Sequence, residues 1–235
     1  MERNTTIPQS APLTALSGPR PFCPRCGHFP RWRGNPPFTQ RGLIIGITGT
    51  SGSGKTTLLA LIQEAGGTVL DCDAIYHRLL EEDTALLTAI DRRFPGCVED
   101  GRLDRKKLGA VVFSDSAALE ELNAITHTAV KAAVYKALEE KPALAAIDAI
   151  ALLESGLKDL CDVTVAVCAP EKDRITRLMT RDNITADYAK KRIAAQKPDS
   201  WFRNRCDYCL ENNDTPEQFR HKCLAFLHGL GIIKA

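Results

Sequence analysis

The stretch Gly46-Ile47-Thr48-Gly49-Thr50-Ser51-Gly52-Ser53-Gly54-Lys55-Thr56-Thr57 limits what this chain can fold into more than any other. Gly49 to Thr56 has the spacing G-x-x-x-x-G-K-[ST]. An apolar run of β type, Leu43 to Ile47, leads in, and an apolar helical pattern, Leu58, Leu59, Leu61 and Ile62, leads out. The loop therefore joins a strand to a helix. Its glycines admit positive φ and let several backbone N–H groups meet one anion at close range. The helix that follows turns its positive end toward the same point. Gly49, Thr50, Ser51, Gly52, Ser53 and Gly54 are expected to cradle the phosphates of ATP, with Lys55 at the β and γ phosphates and Thr57 at the α phosphate. The Thr56 hydroxyl is expected to complete the shell of Mg²⁺, an ion that prefers phosphate and water oxygens to an all-protein cage.

After this loop, Thr68 to Leu70 reads as a second strand running into Asp71-Cys72-Asp73. Acidic residues at the carboxyl end of a parallel strand lie where such sheets gather ligands. Residues 74–138 are dominated by helical periods, among them Leu86-Leu87-Ile90, Leu119-Leu122-Ile125 and Val130-Val134-Leu138. They predict a helical insertion large enough to bind an acceptor. Ala143 to Ile147 and Val163 to Val167 read as buried strands, and their connection carries Asp148, Glu154 and Asp159. A helix from Pro170 places Arg174, Arg177 and Arg181 on one face, and a helix from Asp187 to Gln196 adds Arg192. A solvated face neutralised by Glu171, Asp173 and Asp182 accounts for any one of these arginines. Three together predict a phosphate-clamping lid within residues 174–205. Tyr208 to Leu210 supplies a last strand, Asn212-Asn213 a turn, and Pro216 to Leu230 a closing helix. The expected fold is α/β over residues 43–235: a parallel five-stranded sheet flanked by helices, with the helical insertion and the helical lid.

Residues 1–42 are different in kind. They hold most of the thirteen prolines and almost no apolar periodicity, and predict a disordered or loosely attached extension; the alternative is a native start near Arg41. Six arginines against one glutamate give residues 1–41 a charge of +5 and leave −3 for the rest of a chain whose net charge is +2. Cys23-Pro24-Arg25-Cys26-Gly27-His28 resembles half of a zinc ribbon, but zinc needs four ligands, and the other C-x-x-C, Cys206 to Cys209, lies far away in a run that reads as packed strand. The nine cysteines, an odd count, fit free thiols in a reducing compartment. No apolar run reaches membrane-spanning length and no export signal opens the chain, so the cytoplasm is expected.

Phosphate loops serve switches as well as kinases. A guanine-reading N-K-x-D is absent, as is a D-x-x-G after the second strand. The acidic pair, the insertion and the arginine-rich helix are instead the parts of a small-molecule kinase, with Asp73 the candidate base and Asp71 helping to fix Mg²⁺ through water. Turn and cap chemistry is the plainer account of both aspartates.

Several separated motifs then match one family. They are Ile47-Thr48-Gly49 through Thr57; Val69-Leu70-Asp71-Cys72-Asp73 with Ile75, His77 and Leu79; Gly101-Arg102-Leu103-Asp104-Arg105; Leu122-Asn123-Ala124-Ile125-Thr126-His127; Leu152-Leu153-Glu154-Ser155; Arg177 with Arg181-Asp182; Arg192 with Gln196; and Asn212-Asn213. In these the chain resembles the dephospho-CoA kinases, from about Leu43 to the C-terminus. The resemblance implies ATP-dependent phosphorylation of the ribose 3′-hydroxyl of dephospho-CoA, with Asp73 activating that hydroxyl. It implies acceptor binding by Thr48, Asp73, His77 and His127, a lid carrying Arg177 and Arg181, and an adenine pocket near Asn212 and Asn213. Three positions depart from the family pattern: Thr128 and Ile150 stand where Pro is usual, and Cys72 where Ala is common. The alternatives are a kinase of another hydroxyl acceptor, such as a nucleoside or nucleotide, and a nucleotide-gated binder using the basic tail. Specific nucleic-acid binding is not expected.

Overall fold

The computed structural model describes residues 42–233. Residues 1–41, with nearly all of the extension and its Cys23 and Cys26, lie outside them. In chain order the elements are β1 (Leu43–Thr48), α1 (Lys55–Glu64), β2 (Thr68–Asp71), α2 (Cys72–Glu82), α3 (Thr84–Arg93), β3 (Val98–Glu99), β4 (Arg102–Leu103), α4 (Arg105–Val112) and α5 (Ser116–Leu138). There follow β5 (Leu144–Asp148), a 3₁₀ turn at Leu157–Leu160, β6 (Val163–Cys168), α6 (Glu171–Asp182), α7 (Ala186–Ala194), α8 (Asp199–Arg203), β7 (Tyr208–Glu211) and α9 (Pro216–Gly229).

Five strands form one parallel sheet in the order β2-β5-β1-β6-β7. β1 is central, and its Ile45 and Ile47 are fully buried, as expected of a strand covered on both faces. The register sets Asp148, the last residue of β5, beside Ile47 of β1 and Asp71 of β2. The carboxyl ends of three neighbouring strands thus meet where the glycine-rich loop leaves β1. One face of the sheet is closed by α1 and α9 through Leu58, Ile62, Phe219 and Phe226. The other is closed through Val130 and Val134 of α5 with Leu152 and Leu157. Burying each such side chain stabilises the fold by roughly 1.5–3 kcal/mol.

Helix α5, 23 residues and so about 35 Å long, serves two cores. Its C-terminal half packs on the sheet, while Ala118 and Leu122 join Leu80, Leu86, Ile90, Phe94, Leu108 and Val112 in the core of the insertion. Helix α2 also bridges the two cores, with Cys72 and Ile75 on the sheet side and Leu80 in the insertion, so the insertion is tied to the sheet by two helices. It is not helical throughout: β3 and β4 form an antiparallel hairpin around Asp100 and Gly101, both at positive φ. Two-residue strands carry no periodicity, which is why the sequence pattern passes over them. Among the described residues no helix is long and apolar enough to cross a membrane, and no group of three or more His, Cys, Asp or Glu side chains could hold a metal ion.

Candidate active site

The site begins at a helix start with no side-chain cap and a glycine-rich approach; α6 and α8, which follow Pro170 and Pro198, also lack a side-chain cap. Helices α2 to α5, α7 and α9 each begin with an Asp or Thr side chain accepting from the first turn, but α1 follows Gly54 in the left-handed region with no side-chain cap. Its first N–H groups are left for another acceptor. Two glycines make the loop possible. A Cβ on Gly49, at φ 135°, would lie 2.2 Å from the Val167 carbonyl oxygen; one on Gly54, at φ 98°, would lie 2.3 Å from Asn212 Nδ2.

The loop is braced from its outer side by residues remote in sequence. Asn212 Nδ2 donates to the Ser53 carbonyl at 2.8 Å. Arg177 donates through Nη1 to the carbonyls of Gly52 and Ser53 at 3.1 and 3.3 Å, and through Nη2 to Asn212 Oδ1 at 3.3 Å. Gln196 meets Ser51 twice, accepting from its N–H at 2.9 Å and donating to its hydroxyl at 2.8 Å. Buried Arg174 donates to Thr50 Oγ1 at 2.6 Å and lies 3.6 Å from Asp199, which also accepts from Thr50 Oγ1. These bonds hold the Gly52 and Ser53 carbonyls on the outside, while the Ser51 N–H is taken by Gln196 and the Ser53 N–H by the Thr50 carbonyl; the N–H groups of Gly54, Lys55 and Thr56 then stand at the uncapped start of α1.

On that inner side lies a cavity of about 610 Å³ lined by residues 51–56 of the loop and helix start, by Asp71, Asp73 and Asp148, and by Arg177, Arg181 and Arg192. Lys55 Nζ donates to the Gly49 carbonyl at 3.1 Å. Asp148 Oδ1 is buried without a hydrogen-bond partner. Burial pushes its carboxyl up to about 6, against the pull of Lys55 and with the push of Asp71 and Asp73. Asp71 caps α2, accepting from the Ala74 N–H at 3.0 Å, and Asp73 stands exposed in the first turn of that helix.

A second cavity, of about 190 Å³, adjoins the first in the insertion. It is lined by Cys72, Tyr76, Leu122, Asn123, His127 and Leu157, among others, and shares Asp73, Ala149 and Ile150 with the first. Burial lowers the affinity of His127 for its proton, opposed by the charge of Glu154. The Cys72 thiol, beside Asp73, is pushed up to about 12 by burial and the neighbouring carboxylates, and so stays protonated.

The expected site residues fall into separate places. Ser51 to Thr56, Asp71, Asp73, Arg177 and Arg181 line the larger cavity, and Asp73 and His127 the smaller. Gly49 and Thr50 belong to the loop, and the Thr57 N–H donates to the Gly54 carbonyl at 3.2 Å. Thr48 is fully buried and donates to the Ile150 carbonyl at 3.1 Å, fixing the backbone that divides the two cavities. His77 is exposed beside the Tyr76 ring. Asn212 reaches the loop, whereas Asn213 is exposed and accepts from Lys222 at 3.1 Å. The three arginines of α6 part company: Arg174 is buried in the loop brace, Arg177 both braces and lines, and Arg181 lines only the cavity. Thr128, one of the departures, continues α5 with its hydroxyl bonded to the Ala124 carbonyl. Sequence reasoning left Asp148, Gln196 and Asp199 without roles at the site. Asp148 had the same signal as Asp71, an acid closing a parallel strand; Gln196 had its place in a family motif beside Arg192, and Asp199 had none.

A phosphate cradle at the end of the central strand, acids at the ends of β5 and β2 on one side of it and a second cavity opening beside them define a P-loop kinase of a small molecule. The chain belongs to the dephospho-CoA kinase family, whose model, described as Dephospho-CoA kinase, matches residues 43–218. Dephospho-CoA kinase of Anaeromyxobacter dehalogenans is 40% identical over 195 residues, covering 79% of this chain and 92% of the relative. That of Thermus thermophilus is 36% identical over 186 residues, with 79% and 90% covered. Among solved structures, TT1252 from Thermus thermophilus superposes with a TM-score of 0.68 at 35% identity, over 80% of this chain and 98% of that one. Dephospho-CoA kinase from Campylobacter jejuni, at 24% identity, shares the fold with a TM-score of 0.56 over 79% and 95%.

Proposed function

We propose that this chain transfers the γ-phosphoryl group of ATP to the ribose 3′-hydroxyl of dephospho-CoA, giving CoA and ADP as the last step of coenzyme A synthesis. The observation that carries this reading is the meeting of the two cavities at Asp73. A donor held by the loop and an acceptor held in the insertion would bring phosphoryl group and hydroxyl together there. The Asp73 carboxylate takes the hydroxyl proton, the oxygen bonds to the γ-phosphorus, and the bond to the bridging oxygen breaks to release ADP. Lys55 and Arg181 supply positive charge where the three transferred oxygens carry theirs. His127 and the backbone at Ala149 and Ile150, held by Thr48, position the acceptor.

The oxygen donors facing the loop are hard ones, a Thr56 hydroxyl and the Asp71 carboxylate, and they suit Mg²⁺. Thr56 would hold it directly and Asp71 through water. When bound, Mg²⁺ neutralises charge on the β and γ phosphates. A cytoplasmic enzyme is part of this proposal, and among the described residues no helix is long and apolar enough to cross a membrane.

The test is ADP release with Mg-ATP and a panel of acceptors: dephospho-CoA, nucleosides and nucleotides. Turnover confined to dephospho-CoA, with the new phosphate at the 3′ position, is expected. Turnover with another acceptor and silence with dephospho-CoA would overturn the assignment and locate the error in residues 74–138.

A further inference from the structure

Helix α6 ends at Asp182, and Asn183 follows in the left-handed region at φ 51° and ψ 46°, turning the chain back into α7. The two helices pack through Leu178, Ala189 and Ile193, all buried, with Ile175 and Ile184 against them. This return brings Arg192 onto the carboxylate that ends α6. Arg181 donates through Nε to Asp182 Oδ1 at 2.7 Å and through Nη2 to Oδ2 at 3.0 Å, and Arg192 donates through Nη1 to Oδ2 at 2.6 Å. One carboxylate thus holds two guanidinium groups together, and both of these arginines line the cavity that contains Lys55 and Thr56.

We propose that Asp182 is a positioning residue for phosphoryl transfer, gathering Arg181 and Arg192 into a pair preset to receive the terminal phosphate of the nucleotide. The inference rests on the reading of the larger cavity as the donor site. Arg side chains that are half exposed, as these are at 57% and 42%, lose much rotamer freedom on clamping a ligand. Held at Asp182, they have lost it already, and the carboxylate offsets the repulsion between two like charges. The hydrogen bond from Arg181 keeps the Asp182 carboxyl below its ordinary range, so the anchor stays charged at working pH. A lone exposed ion pair would do little. Here the pair is a fork on one carboxylate, tethered by a packed helix and directed at a cavity.

Affinities for Mg-ADP and for a Mg-bound non-hydrolysable ATP analogue, by calorimetry, supply the test, since ADP lacks the phosphate the pair would meet. Five proteins are compared: native, Asp182→Asn, Asp182→Glu, Arg181→Ala/Arg192→Ala, and the triple variant Arg181→Ala/Arg192→Ala/Asp182→Asn. Asp182→Asn is expected to weaken the analogue about tenfold and ADP less than about twofold. Retained ADP binding reports an intact loop and fold. In the double-arginine background the same substitution should change nothing further, and Asp182→Glu, with both arginines present, should keep most of the preference that Asp182→Asn loses. A native ratio in Asp182→Asn, or an equal loss in both backgrounds, overturns the role of Asp182 alone. A native ratio in the double-arginine variant overturns the phosphate-facing reading of the arginines and the inference with it.

Discussion

The contact between Gly54 and Asn212 makes a prediction that can be separated into its parts. Gly54→Ala places a Cβ 2.3 Å from Asn212 Nδ2, at a residue with φ 98°. The backbone strain alone costs about 1–2 kcal/mol. The clash adds to it, because Asn212 is buried and must withdraw from the Ser53 carbonyl at 2.8 Å and from Arg177 at 3.3 Å. Losing those bonds and orphaning a buried amide costs about 1–3 kcal/mol more. Asn212→Ala loses the same bonds but removes the clash. The two substitutions should therefore couple: Gly54→Ala costs about 3 kcal/mol in the native chain and only about 1–2 in the Asn212→Ala background. Urea unfolding of the four proteins measures this directly. Equal costs in both backgrounds would refute the reasoning, since the Gly54 requirement would then be a matter of φ alone and Asn212 no brace.

The raised carboxyl of Asp148 makes stability depend on pH. Both states are protonated well below 3.8; between 3.8 and about 6 the unfolded chain gives up a proton that the folded chain keeps, so native stability falls as pH rises, by about 3 kcal/mol at most, and stays down above 6. Asp148→Asn lacks this fall, so urea midpoints without nucleotide should show the variant gaining on the native protein between pH 4 and pH 7; a difference independent of pH contradicts the burial argument. Lys55→Ala should weaken nucleotide binding and turnover together by at least about tenfold each, measured by titration and steady-state rates, because the same cation meets ground and transition states. A native rate would show that the loop is not the donor site.

What could be read from the sequence follows the range of the interactions. The loop, its entering strand and its helix were legible because their residues are contiguous and their glycines are required by φ. The five strands were legible from buried β-type runs such as Val163–Cys168, and α5 from a 3.6-residue period over Leu122, Val130 and Val134. Strand order was not, because the pairing of Asp71 with Asp148 joins residues 77 positions apart. That pairing is what turns Asp148 from a residue in a connection into a member of the site. The brace was equally hidden: Gln196 meets Ser51 across 145 positions, and although Ser51 sits in the glycine-rich loop, nothing local to either residue names the other as its partner. The spacing of Arg174, Arg177 and Arg181 predicted one face, yet seven residues span two turns, enough for Arg174 to enter the buried brace while Arg181 reaches the cavity.

The claim at the centre of this account is that Asp73, where the two cavities meet, takes the proton of the acceptor hydroxyl. Steady-state kinetics of Asp73→Asn with Mg-ATP and dephospho-CoA test it most directly. The amide keeps the size of the side chain and cannot act as the base, so turnover should fall about 10²- to 10⁴-fold while the KM for ATP stays within about threefold of native. Turnover within about threefold of native would contradict the account and leave Asp73 with no more than a place in the first turn of α2.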